Sequence, residues 1–383
     1  MQDTYLTAAG AFLPGLPVSN DAIAQKIGLI DAQSERLGRL ILRQNRIKTR
    51  HYAIDDAGQI TQSNASMAAS AAKAALENSN CSGADVDLLA TATTQGDLLV
   101  PGHASAVHGE LATALPDIGM LEVANFQSVC ASASMAMRTA YLNIKAGEKK
   151  AALICGSEFS SRWFRPEFYQ GALDRLAEKE TRMSAEFLRW TLSDGAGAVL
   201  FEPAPSVHQQ SFKVDWITLH SLADRFDVCM YAGSTGAARH DLARGAWAHY
   251  ADGPGAAVND GAVMLLQDMV LLKKIIRGWV GEYLRLIDDG KIIPDQVDWL
   301  LCHYSAHSLR EELIRLLKAS GAMIDEEKWF SNLPTKGNTG AGALFIMFEE
   351  FMSKGLAKPG DRILCVNPES GRAIVSFMMM TAQ

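Results

Sequence analysis

The chain has 383 residues, 48% of them hydrophobic and 21% charged, enough for two domains or one large duplicated one with a substantial core. A net charge of −7 and a pI near 5.7 argue against nucleic acid as a main partner, which a concentrated basic face would favour. No run reaches the roughly 18 apolar residues that a membrane span needs, and Met1-Gln2-Asp3-Thr4 lacks a basic stretch leading into an apolar one, so neither a membrane span nor a signal peptide is expected and the location expected is cytoplasmic.

In chain order, the first local feature is the basic cluster Arg43, Arg46, Lys48 and Arg50. In an acidic chain it is either a holder for a phosphorylated ligand or a solvated charged face. Residues 67–76 (MAASAAKAAL) are strong helix formers, Ser82-Gly83 reads as a loop, and the strand that follows begins at Val86. Residues 131–145, rich in Ala, Ser and Met, predict a helix apolar nearly all round, which belongs in the interior; Gly147 is placed to end it in the left-handed conformation. Residues 151–155 and 363–366 are short apolar runs suited to strands buried on both faces. Residues 203–209 read as a linker, and 235–249 give no clear period. Residues 308–317 carry Leu309, Leu313 and Leu316 on one helical face and Glu311, Glu312 and Arg315 on the other. Residues 340–354 predict a second interior helix, ended by Gly355. The six cysteines form no CxxC pair, and Cys155 and Cys302 sit in apolar runs as small hydrophobes. No metal or other cofactor is expected.

The chain carries an internal repeat. Val86-Asp87-Leu88-Leu89 is similar to Val297-Asp298-Trp299-Leu300-Leu301 at an offset of 211, and the run ending at Cys155 is similar to the one ending at Cys365 at an offset of 210. Between these anchors each half has a small-residue turn, a helix, a glycine and a strand. The order predicts a duplicated α/β unit, with halves at 1–205 and 206–383 and a layered α/β/α/β/α arrangement.

Asn125-Phe126-Gln127-Ser128-Val129-Cys130 places a cysteine where an extended run ends and the first interior helix begins. The unpaired first amides of a helix and its macrodipole favour negative charge there, which predicts a lowered thiol pKa and a nucleophile at neutral pH. A buried structural cysteine before an Ala/Ser helix fits the same segment, and the segment alone leaves both open.

This segment, with Ser193-Asp194-Gly195-Ala196-Gly197-Ala198, resembles the ketoacyl synthase III branch of the thiolase superfamily. Ile47-Lys48-Thr49-Arg50, Gly156-Ser157-Glu158 and Gly337-Asn338-Thr339-Gly340 extend the resemblance over nearly the whole chain. It implies a thiolase-like five-layer fold and an enzyme joining two acyl thioesters, carried by acyl carrier protein or coenzyme A, through an acyl-enzyme on Cys130. It implies His303, with His307 as competitor, and Asn338 as donors to an enolate oxygen. Cys130 and Gly371, in the turn Glu369-Ser370-Gly371, would donate amides to the first oxyanion, and Arg43, Arg46, Lys48 and Arg50 would meet the thioester carrier. The tract 98–103 matches a region that reaches a neighbouring subunit's pocket, so a homodimer is expected.

The departures are specific. Glu369 stands where the family is rich in glycine; it is either an outward turn residue or an extra acid/base group. The tetrad after the strand reads His303-Tyr304-Ser305-Ala306, and a tryptophan that stacks on adenine is absent near residues 39–41, which favours acyl carrier protein over coenzyme A. The turn chemistry is most similar to the dialkylresorcinol-forming subgroup, whose members cyclise the condensed product. The aromatic stretches 163–169 and 187–190 would either shape the pocket or form dimer-interface core. An acyltransferase or thioesterase that stops after acyl transfer shares the first half-reaction, and a non-catalytic partner subunit is disfavoured by the presence of Cys130, His303 and Asn338.

Overall fold

The computed structural model describes residues 1–236 and 239–383. Ten strands form one mixed sheet: β1 (Tyr5–Phe12), β2 (Leu88–Thr93), β3 (Glu122–Gln127), β4 (Ala152–Glu158), β5 (Gly195–Glu202), β6 (Phe212–Ser221), β7 (Trp299–Cys302), β8 (Trp329–Phe330), β9 (Arg362–Glu369) and β10 (Ile374–Ala382). Their spatial order is β8-β7-β9-β10-β6-β1-β5-β4-β2-β3. The order reads outward from the centre as β1-β5-β4-β2-β3 on one side and β6-β10-β9-β7-β8 on the other, so one topology occurs twice. The two runs pair at Tyr5 opposite Lys213 and Leu6 opposite Phe212, with the Val214 amide donating to the Thr4 carbonyl at 2.8 Å beside them.

Two helices, α1 (Ser132–Ala146) and α2 (Ala343–Ser353), lie between the runs. The main core joins Ala136, Met137 and Tyr141 of the first to Leu344, Phe345 and Phe348 of the second, together with residues of both sheet runs. Helices Asn64–Glu77 and His103–Ala114 cover the outer face of the first run, while Met269–Asp288 and His307–Ala319 cover that of the second. That is the five-layer, thiolase-like α/β fold expected from the sequence. The helices end as their glycines predict: Gly147 has φ 82° and Gly355 φ 57°. The predicted helix over 67–76 is the interior of a longer one, started by a capping box between Ser63 and Ser66.

The second interior helix departs from its expected start. Residues Gly340–Gly342 form a 3₁₀ turn, and regular α-helix begins only at Ala343. This turn presses against the sheet so closely that a Cβ on Gly156 would stand 2.4 Å from the Ala341 carbonyl oxygen. No residue but glycine fits there without moving the helix. Part of the region without a clear period, residues 237–238, lies outside the described residues; the rest holds a four-residue helix, Leu242–Gly245, and a 3₁₀ turn, Trp247–His249.

Candidate active site

Cys130 sits in the turn between β3 and α1 and is 5% exposed. Its carbonyl accepts the Asn367 Nδ2 at 2.9 Å, and the same amide donates to Ser134 Oγ at 3.0 Å, which pins the turn to β9 of the other half. Two cavities meet at this residue. A wide one of about 720 Å³ is lined by Gln127, Cys130, Glu158, Arg162, Asn338 and Ser370, among others. A narrow one of about 70 Å³ is lined by Cys130, His303 and apolar side chains of the outer helices, including Ile276, Leu309 and Leu313. Cys130, Ser305 and Ser370 line both. The aromatics Trp163 and Phe187, within the stretches expected either to shape a pocket or to form dimer-interface core, line the wide cavity.

The electrostatics at Cys130 run against the sequence expectation. Its thiol pKa is raised, not lowered: burial is the first cause, and the carboxylates of Glu369 and Glu158 add to it. The helix start that was to stabilise a thiolate is already occupied, because the Ala131 amide donates to Glu369 Oε2 at 3.2 Å. Cys130 therefore rests as a thiol.

Glu369 is not an outward turn residue. It ends β9, is 1% exposed, and accepts Ser128 Oγ at 2.7 Å on each oxygen. Burial raises its pKa, opposed chiefly by the Ser128 hydrogen bond. Of the turn that follows, Ser370 lines the cavities, whereas the Gly371 carbonyl accepts the Cys229 amide at 2.9 Å.

His303 follows β7, with its amide donating to the Val366 carbonyl at 2.9 Å. Its Nε2 is buried without a hydrogen-bond partner among the described residues, and burial lowers its pKa to about 4. The imidazole is therefore neutral at ordinary pH and able to donate. His307 is placed elsewhere: it starts the next helix, lies 3.2 Å from a Glu311 carboxylate oxygen, and lines neither cavity. Asn338 is 1% exposed; its Oδ1 accepts the Gly340 amide at 3.0 Å, which orients the carboxamide and leaves Nδ2 for the wide cavity.

The basic cluster divides. Arg43, Arg46 and Lys48 are exposed, with Arg46 paired to Glu311 at 3.3 Å. Arg50 is fully buried, donating to the Trp190 carbonyl at 2.6 Å and to Asn20 Oδ1 at 2.8 Å, so its guanidinium is an internal clamp and meets no carrier. Asp194 is likewise internal: it accepts the Ala53 and Ser161 amides, both at 2.8 Å.

Glu158 is the residue that sequence reasoning passed over, naming it only as part of a strand end. It ends β4, lines the wide cavity beside Cys130 and Asn338, and burial raises its pKa to about 7. Its Oε1 accepts Thr94 Oγ1 at 2.6 Å, the Thr94 amide at 3.0 Å and the Ala341 amide at 3.1 Å. The usable signal was the repeat itself, because Glu158 and Glu369 are 211 residues apart and end equivalent strands.

Among the described residues no group of three or more His, Cys, Asp or Glu side chains stands ready for a metal ion, and no helix is long and apolar enough to cross a membrane. Residues 287–379 match the family of 3-oxoacyl-[acyl-carrier-protein] synthase III C-terminal domains. Over 362 residues, 94% of each chain, the sequence is 27% identical to the β-ketoacyl-[acyl-carrier-protein] synthase III of Caulobacter vibrioides. Over nearly its whole length the chain is similar to β-ketoacyl-[acyl-carrier-protein] synthases III. The corresponding synthase of Neisseria meningitidis is 25% identical over 95% of each chain. Among solved structures, AbyA1, a tetronic acid condensing enzyme, superposes on this chain with a TM-score of 0.75 at 20% identity, covering 99% of both. OleA of Xanthomonas campestris gives 0.73 at 18% over 99% of this chain and 98% of its own, and these likenesses bear on the fold.

Proposed function

We propose that this ketoacyl synthase III-like chain is a condensing enzyme that joins two acyl thioesters by a Claisen-type step through an acyl-enzyme on Cys130. The observation that carries the reading is the position of Cys130 at the meeting of two cavities, one bearing the unpartnered Nε2 of a neutral His303 and the other the Asn338 amide. In the first half-reaction the sulfur attacks a thioester carbonyl and expels the carrier thiol, with the Cys130 and Gly371 amides as donors to the oxyanion. In the second, the other thioester becomes an enolate whose oxygen takes hydrogen bonds from His303 and Asn338. Preorganised donors of this kind, in a site shielded from water, stabilise charge that forms only in the transition state.

The same reading takes acyl carrier protein or coenzyme A as the thioester carrier, with Arg43, Arg46 and Lys48 at the surface to meet its phosphate. It also takes the functional unit as a homodimer in the cytoplasm, the chain as halves meeting at 205/206, and the product as a β-keto compound open to cyclisation to a dialkylresorcinol. Incubation with acyl-carrier thioesters and intact-mass measurement tests the core of it. An acyl adduct is expected on the native chain and not on Cys130→Ala; an adduct that persists in the variant removes the nucleophile.

A further inference from the structure

The two halves fill the layer between sheet and outer helices differently. In the first, the helix Asn64–Glu77 lies down on the sheet through alanines, Ala68, Ala71 and Ala75 among them. The approach is so close that a Cβ on Gly10 of β1 would stand 2.2 Å from the Ala75 amide nitrogen. In the second, the equivalent helix Met269–Asp288 turns Leu272, Ile276, Val280 and Tyr283 inward, side chains long enough to hold it off. The narrow cavity is the space left in that layer. Ile276 and Leu313 of the two outer helices form one wall, and Leu300, Cys302 and Val366 of β7 and β9 form the other.

This space joins the wide cavity where Cys130, Ser305 and Ser370 line both. From Pro368, beside that junction, the wall follows the strands down to Leu300, which pairs with Leu364, over about 13 Å of strand. Apart from Cys302, the lining away from the junction and His303 is aliphatic or aromatic, and the Tyr283 hydroxyl is spent on the Ala322 carbonyl at 3.1 Å. An apolar space of this kind holds no ordered water and leaves the atoms around it short of contacts, so an alkyl chain is the occupant it favours.

Two thioesters must reach one sulfur, and two passages meet there. The second arrives with its carrier arm from the surface, and the wide cavity has the exposed Leu99 and Ala232 in its lining. Resting on the condensing reading above, we propose that the alkyl tail of the acyl group on Cys130 lies in the narrow cavity, between the second half's sheet and its outer helices, and that Ile276 and Leu313 set the tail length accepted. The wide cavity is thereby left clear for the second thioester. Trp163 and Phe187, which line only the wide cavity, do not meet the tail.

The full chain is acylated from acetyl-CoA, octanoyl-CoA and ω-bromooctanoyl-CoA, with loading rates read by intact mass. In Ile276→Trp and Leu313→Trp the ratio of octanoyl to acetyl loading is expected to fall by about tenfold or more. A bromine at the tail's end quenches indole fluorescence on contact. Trp279 and Trp329 line the narrow cavity and Trp163 and Trp247 the wide one, so the quenching should shrink in Trp279→Phe or Trp329→Phe and persist in Trp163→Phe and Trp247→Phe. A ratio within about threefold of native in both cavity-filling variants overturns the assignment. So does a native chain that loads acetyl but not octanoyl. Should the cavity-filling variants fail to fold, the fluorescence decides: quenching that is absent, or that survives undiminished in both Trp279→Phe and Trp329→Phe, overturns it equally. A native chain that forms no adduct from any of the three donors defeats the acyl-enzyme reading itself.

Discussion

The two interior helices begin in equivalent places, yet their starts are built differently. At the first, Cys130 precedes an α-helix that opens at Ser132; at the second, Asn338 precedes a 3₁₀ turn with Gly340 at φ 51°. In each, a helix-start amide donates to a glutamate that ends a strand of the opposite half: Ala131 to Glu369, Ala341 to Glu158. Repetition therefore supplied a crossed pair of carboxylate caps, and the two caps differ in how many of their oxygens are occupied. Glu369 has both oxygens occupied by Ser128 and serves as support. Glu158 has one oxygen saturated and one spare.

The sharpest way to break this comparison is to remove the donors on either side of Cys130. His303→Ala and Asn338→Ala are each expected to keep acyl loading and to cut condensation by about 10²-fold or more; product formed at the native rate in either variant dismisses that residue. The support role of Glu369 is sharpened by Glu369→Gln, which removes a charge that raises the Cys130 pKa. Alkylation of Cys130 by iodoacetamide should then have its pH midpoint at a lower value, and a midpoint that stays put or rises contradicts the cap's electrostatic effect. The close approach that lets the second start reach the sheet is probed by Gly156→Ala. It should cost about 1–3 kcal/mol, read as a lower midpoint in urea, because the Ala341 carbonyl must move. The smallest effects separate the basic cluster. Arg50→Ala should lose about 1–3 kcal/mol of stability by leaving the Trp190 carbonyl unpaired. Arg43→Ala and Lys48→Ala should change stability by less than about 0.5 kcal/mol and show only in the KM for the carrier thioester.

Much of the scaffold was legible in the sequence because it depends on local pattern. Apolar runs, glycines at helix ends and a spacing near 211 residues are properties of neighbouring letters, and they carried the duplication and both interior helices. The turns that hold Cys130 and Asn338 were legible for the same reason, whereas the roles expected of the two residues came from the family resemblance. What could not be read depends on partners far along the chain. Arg50 looks like one more surface cation until residues 20 and 190 fold over it. The thiol of Cys130 looks activated until Glu369 arrives from 238 residues beyond Ala131 and takes the helix-start amide. Glu158 shows its partner only once Ala341, 183 residues on, is brought against it. Charge on a letter announces a need for compensation without saying where it comes from.

The crossed caps also bear on how the molecule tolerates being cut. A break in the connection around 203–209 would leave two fragments, each with a buried helix-start amide whose acceptor is on the other piece; Glu369 would also lose its Ser128 donor, whereas Glu158 would keep Thr94. Neither fragment is self-sufficient, so mutual rescue on mixing, rather than autonomous folding of one piece, is the behaviour this architecture dictates.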